Sequence, residues 1–328
     1  MTSREIVAQT LEYGCPERVA RSFQDSDIVS IRYELSSRHR DWRQIRSDYW
    51  ERTDEWGNKW ARVDATSRGL VIKGVLEDLG NLEEYEFPDY TQAESYRQVR
   101  AVRERLPEQW LVGELPGFTF GVAWRLRGLE NYLMDLVAEQ ANLHRLHTRI
   151  DQLLMSMMVR YAEAGVDAVM IWEDWGFQDR LMVNPGLWRE EFSPRFRALC
   201  EHAHENGLRV IMHSCGQVGA IVTGLIEAGI DVLQFDQPDL HGIDQLAEYQ
   251  ESNPITFWCP VDIQTTLQSQ DEAVIRGKAR EMLEKLWRGR GGFIAGRYED
   301  DASIGLNPKW QGYACDEFIR NGIRCNYN

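Results

Sequence analysis

The chain has 328 residues and a formal net charge of −15, with 43% hydrophobic and 27% charged residues. Such a composition belongs to a folded protein with a large core, and the acidic balance excludes a nucleic-acid partner, which needs basic surface to meet phosphates. No apolar run approaches the roughly eighteen residues that cross a membrane, and Met1-Thr-Ser-Arg-Glu5 lacks the apolar stretch of a secretion signal, so a cytoplasmic location is expected.

In chain order, the first predicted strand is Asp27 to Arg32. Residues 36–107 are polar and rich in Trp and Arg, and read as an irregular insertion before the next strand. From about residue 108 one theme repeats: a short apolar run, a chemically loaded turn, then an amphipathic helix. The runs are Trp110 to Gly113, Ala168 to Trp172, Arg209 to Met212, Val232 to Phe235, Ile255 to Trp258 and Gly292 to Ala295. Between them, Pro194 to Asn206 reads as a helix stopped by Gly207, and Glu272 to Arg288 as one followed by Gly289 and Gly291.

Strands alternating with helices imply parallel pairing through βαβ crossovers. About seven or eight such units predict an α/β fold of the (β/α)8 barrel type, one domain over residues 1–328. A dinucleotide-binding sheet would want a Gly-x-Gly-x-x-Gly turn after an early strand, and none is present.

Barrel chemistry gathers at the C-terminal ends of strands. The residues placed there are Glu114, Glu173, Asp174, His213, Cys215, Asp236, Cys259, Arg297 and Tyr298. Each has a bland alternative: Glu114 and Asp236 as helix caps, Cys259 as a small core hydrophobe. His213 and Cys215 stand out because side chains two apart on a strand project to one side, and an imidazole beside a thiolate is half a zinc site. Trp172, Trp175 and Trp258, also at strand ends, are candidates to wall a flat substrate. His144 and His147 read as a solvated helix face. Of the six cysteines, Cys15, Cys200, Cys315 and Cys325 have no evident metal-competent neighbours, and none of the six is expected to form a disulfide.

Asp54-Glu-Trp-Gly-Asn-Lys-Trp60, Glu173-Asp-Trp-Gly-Phe-Gln178 followed by Asn184-Pro185 and the Trp188 to Arg195 segment, and His213-Ser-Cys-Gly216 carry a resemblance. In that order they resemble the uroporphyrinogen decarboxylase-like superfamily, from Arg4 to about Phe293. The resemblance implies a (β/α)8 barrel, in agreement with the periodicity. Metal-free decarboxylases of that superfamily carry an Arg-rich N-terminal motif, which Arg32 to His39 does not match. The His-x-Cys element instead resembles the zinc-dependent methyltransferases, which pass methyl groups between small molecules and a cobalamin held on a separate corrinoid protein.

That branch implies His213 and Cys215 as Zn2+ ligands. Its usual later Cys is missing, since the corresponding turn is Gly296-Arg297-Tyr298; Cys259 is expected to substitute, with Glu173 as a fourth ligand. The loss of that Cys points to the methyl-donor side, a demethylase acting on a small O-methyl aromatic or similar compound. Glu173, Asp174 and Tyr298 are the candidate proton donors. Two other readings stay open: a decarboxylase in which Arg297 holds a carboxylate and Asp236 stabilises charge, and a non-catalytic barrel that binds a small molecule.

Overall fold

The structure, a computed structural model, describes residues 1–34, 41–65, 67, 69–138 and 141–324. Twelve strands are found among them. β1 (Ala20–Arg21), β2 (Ile28–Ile31), β7 (Trp110–Glu114), β8 (Ala168–Trp172), β9 (Arg209–His213), β10 (Val232–Gln234), β11 (Thr256–Cys259) and β12 (Phe293–Ala295) form one parallel sheet. Its order is β1-β12-β11-β10-β9-β8-β7-β2, so the sequence runs around a nearly closed (β/α)8 barrel, with helices between the strands. The ends meet at Asp27: its N–H donates to Arg21 O at 2.9 Å, its carboxylate accepts the Arg21 N–H at 2.9 Å, and Arg18 grips it with two bonds of 2.7 Å.

Alternation divides the core. Ala20, Ile28, Trp110, Val112, Ala168, Met170, Ile211, Val232 and Ile294 pack together inside the barrel, with Trp172 and Trp258 against them. Their sequence neighbours Leu111, Val169, Met212, Leu233, Phe257, Cys259, Phe293 and Ala295 belong to the larger cluster shared with the surrounding helices. Adjacent residues of one strand therefore face different environments.

The stretch read as an irregular insertion carries an antiparallel sheet of β3 (Arg43–Arg46), β4 (Tyr49–Thr53), β5 (Lys59–Arg62) and β6 (Leu70–Lys73). Trp50 pairs with Arg62 and Arg52 with Trp60 across β4 and β5. The Arg52 guanidinium lies 4.7 Å from the Trp60 ring and 5.0 Å from Trp42, and Arg62 lies 4.4 Å from Trp42. Alternating guanidinium and indole groups thus supply cross-strand cohesion that apolar pairs supply elsewhere. Residues 35–39 of the Arg32 to His39 stretch, and Cys325, lie outside the described residues.

Candidate metal centre

Three neighbouring strands end in the same way. β8, β9 and β10 pair in register at Trp172, His213 and Gln234, and the residue two further on in each is Asp174, Cys215 and Asp236. The parity that turns Trp172 into the barrel brings Asp174 to the mouth beside His213 and Cys215. His213 Nε2 lies 3.4 Å from Cys215 Sγ and 3.4 Å from Asp174 Oδ1. The three ligand atoms all fall within 4.8 Å of one another, the one such group of His, Cys and acidic residues found among the described residues.

Two glycines allow the β8 and β9 loops to approach this closely. A Cβ on Gly216 (φ +77°) would sit 2.3 Å from Gly176 O, and a Cβ on Gly176 would sit 2.6 Å from the Gln217 nitrogen. With neither present, Cys215 N–H donates to Asp174 Oδ1 at 2.9 Å, Gln217 N–H to Phe177 O at 2.7 Å and Trp175 N–H to Ser214 Oγ at 3.0 Å. Gln237 Oε1 accepts the Gly216 N–H at 3.1 Å.

The electrostatics follow from burial and these contacts. Burial opposes charge on His213, but the Asp174 carboxylate and the Cys215 sulfur outweigh it and hold the imidazole pKa well above its usual value. The loops crowding the mouth work against the charge of the exposed Asp174, yet the His213 hydrogen bond and charge, with the Cys215 N–H, bring that carboxyl down to about 2. The Cys215 thiol is pushed up by burial, against the pull of His213.

The donor set suits a zinc ion: one nitrogen, one sulfur and one carboxylate oxygen, at a mouth where Asp174 stays 62% exposed. Tetrahedral zinc with bonds of about 2.0–2.3 Å sets its ligand atoms about 3.4–3.6 Å apart, and the two 3.4 Å separations around Nε2 match.

The metal set read from the sequence included Cys259 and Glu173, and neither is in this group. Cys259 is fully buried with Phe257 and Phe293 on the helix side of the sheet, because β11 turns Trp258 inward instead. Glu173 is likewise one residue out of phase. Its Oε2 accepts the Phe118 N–H at 3.0 Å and the Gly121 N–H at 2.8 Å, capping the helix Thr119–Arg127. Burial raises its pKa to about 8. The carboxylate in this group is Asp174 rather than Glu173, because the register that sets Trp172 level with His213 gives Asp174 the parity of Cys215.

The remaining residues separate by the same rule. Trp172 lies against the site, its ring 4.9 Å from that of His213. Trp258 faces inward and donates Nε1–H to Ser22 Oγ at 3.0 Å. Trp175 does not line the mouth; it is fully buried against Phe120, with ring centroids 4.3 Å apart, and against Phe192 and Trp188. Glu114 pairs with Arg32. Arg297 pairs with Asp301 and donates to Tyr298 O at 3.2 Å, while Tyr298 N–H donates to Gln311. Asp236 Oδ1 accepts from Gln234 Nε2 at 2.8 Å. Gln234, which touches His213 Nδ1, was not singled out from the sequence, since a glutamine in an apolar run carries no ligand signature.

His147 departs from the solvated reading. Its ring is fully buried, with Nε2 2.9 Å from the Tyr132 hydroxyl and Nδ1 2.7 Å from Glu191, and burial lowers its pKa. Of the polar neighbours on this helix, Asp151 meets Arg195 and His144 meets Glu191 on the segment beside it.

The uroporphyrinogen decarboxylase (URO-D) family model matches residues 66–297. Among solved structures the chain is similar to a methyltransferase from Methanosarcina mazei, at 15% identity and a TM-score of 0.57, over 77% of this chain and 72% of that one. It is also similar to the apo form of a 3-keto-D-glucoside 4-epimerase from E. coli, at 14% identity and a TM-score of 0.41, over 75% of this chain and 94% of that one. At 15% identity the likeness to the methyltransferase is one of fold. No curated relative matches the chain.

Proposed function

The chain belongs to the uroporphyrinogen decarboxylase family, and from that premise we propose that it is a cytoplasmic zinc-dependent methyltransferase. Its substrate would be a small methylated compound, an O-methyl aromatic first among them, and its acceptor a cobalamin on a separate corrinoid protein. The observation that carries this reading is the convergence of Asp174, His213 and Cys215 at the C-terminal mouth of the barrel, where barrel enzymes place their chemistry.

When bound, zinc supplies a Lewis acid for the heteroatom that loses its methyl group. The chain's own residues do the rest. His213 Nε2, Cys215 Sγ and Asp174 would hold the ion. Trp172 and Trp258 present indole rings on the inner face, suited to orient a flat substrate in front of it. Glu173 is committed to backbone amides, so in this reading it holds the loop and donates no proton to the leaving oxygen. The decarboxylase alternative needs a free cation to hold a carboxylate, and Arg297, the residue named for it, is paired with Asp301.

The test is metal content by mass spectrometry on the purified protein grown with added zinc, beside Cys215→Ala and Cys259→Ala. Stoichiometric zinc, lost in C215A and kept in C259A, followed by methyl transfer from methoxyaromatics to cob(I)alamin, is the expected result. Wild-type protein that takes up no zinc under those conditions sinks the proposal.

A further inference from the structure

Gln234 and Asp236 form a relay behind His213 that the metal site does not account for. Gln234 is a Cα partner of His213 in the β9–β10 register and is 7% exposed, enclosed beneath the mouth. Its Oε1 meets His213 Nδ1, and its Nε2 meets Asp236 Oδ1 at 2.8 Å. The side chain therefore spans the gap between an imidazole and a carboxylate.

We infer that Gln234, braced by Asp236, is a positioning residue that fixes the His213 tautomer and keeps Nε2 available as a ligand atom. This rests on the metal-centre reading above for its consequence, though not for its geometry. An amide has one donor end and one acceptor end, whereas an ionised carboxylate only accepts. Asp236 thus draws the NH2 end toward itself, and the carbonyl end is left facing His213. A carbonyl also only accepts, so Nδ1 keeps its proton, and the proton that leaves when an ion binds is the one on Nε2, which faces Asp174 and Cys215; the ring then presents its lone pair at Nε2. Nε2 is the nitrogen that lies 3.4 Å from both Cys215 Sγ and Asp174 Oδ1. Metal-bound histidines are oriented in this way by an acceptor on their second nitrogen; here an amide passes the carboxylate's polarity on to the ring.

The experiment compares wild type, Gln234→Leu, Asp236→Asn and the double variant Q234E/D236N by zinc competition against a chromophoric chelator. Q234L, which offers no acceptor, is expected to bind zinc about 10–100-fold more weakly. D236N, whose amide accepts either orientation of Gln234, weakens binding by a smaller factor. Q234E/D236N again places an acceptor against Nδ1 and restores wild-type affinity, which a merely space-filling role for Gln234 would not require. In parallel, 15N chemical shifts of His213 are recorded on metal-free protein at alkaline pH, where the ring is neutral. They are expected to show the Nδ1–H form in wild type and a mixture in D236N.

Zinc affinity in Q234L equal to wild type, or a wild-type ring protonated at Nε2, overturns the inference. Wild type that binds no zinc yet shows Nδ1–H supports the relay and removes the metal reading instead.

Discussion

Asp174 and Cys215, forty-one positions apart, are joined by a hydrogen bond of 2.9 Å from the Cys215 N–H to Asp174 Oδ1. The bond holds the carboxylate beside the thiol before any ion is present. Asp174→Ala is therefore expected to lower zinc affinity while leaving the melting temperature near wild type, since this side chain is 62% exposed. Glu173→Ala should do the reverse. It leaves the buried Phe118 and Gly121 N–H groups without their acceptor, at about 1–3 kcal/mol each, while Glu173→Gln keeps an oxygen there and most of the stability. Thermal unfolding and zinc competition on the three variants check the contrast; loss of zinc in E173Q with none in D174A would reverse the assignment.

Gly216→Ala is expected to damage the site from a distance of one residue. The added Cβ meets Gly176 O at 2.3 Å and the φ of +77° disfavours any L side chain. Positive φ costs about 1–2 kcal/mol and overpacking about 1–3 kcal/mol more. A drop in stability together with weaker zinc binding is the expected outcome, read by denaturant unfolding and the same competition assay.

Cys259 offers a control of opposite sign. It is fully buried, and burial pushes its thiol well above the usual range. Cys259→Ser should cost about 1–3 kcal/mol by placing a hydroxyl among apolar side chains, with metal content unchanged. Zinc lost from a folded C259S protein would contradict this placement.

His241 gives the chain a pH dependence outside the site. Its ring packs on Phe235 with centroids 4.4 Å apart, its Nδ1 lacks a hydrogen-bond partner, and burial lowers its pKa to about 4. The unfolded value is about 6.5, so the folded state binds this proton less readily. Its contribution to stability is complete above pH 6.5 and is lost as pH falls toward 4, because the unfolded chain protonates first. The loss is about 1–3 kcal/mol, and unfolding of His241→Phe across that window should show a shallower decline than wild type.

Much of the architecture is legible without coordinates. The apolar runs are strands within a residue or two, and the loaded turns fall at one end of a barrel, because a βαβ repeat leaves each strand's C-terminal end on the same face. The sheet within the insertion escaped notice because its faces alternate Trp with Arg, and arginine does not register as apolar although its guanidinium packs on the indoles.

His213 and Cys215 needed only the sequence, since two residues on one strand share a side wherever that strand lies. Asp174, Cys259 and Gln234 did not yield to that reasoning. Their roles depend on how one strand is set against the next, and strand parity is relative until a register is known. Once Trp172, His213 and Gln234 stand level across β8, β9 and β10, Asp174 is placed at the mouth, Glu173 against helix amides, and Gln234 behind the histidine. Local alternation is a property of the chain; the alignment of one alternation with another is a property of the closed barrel.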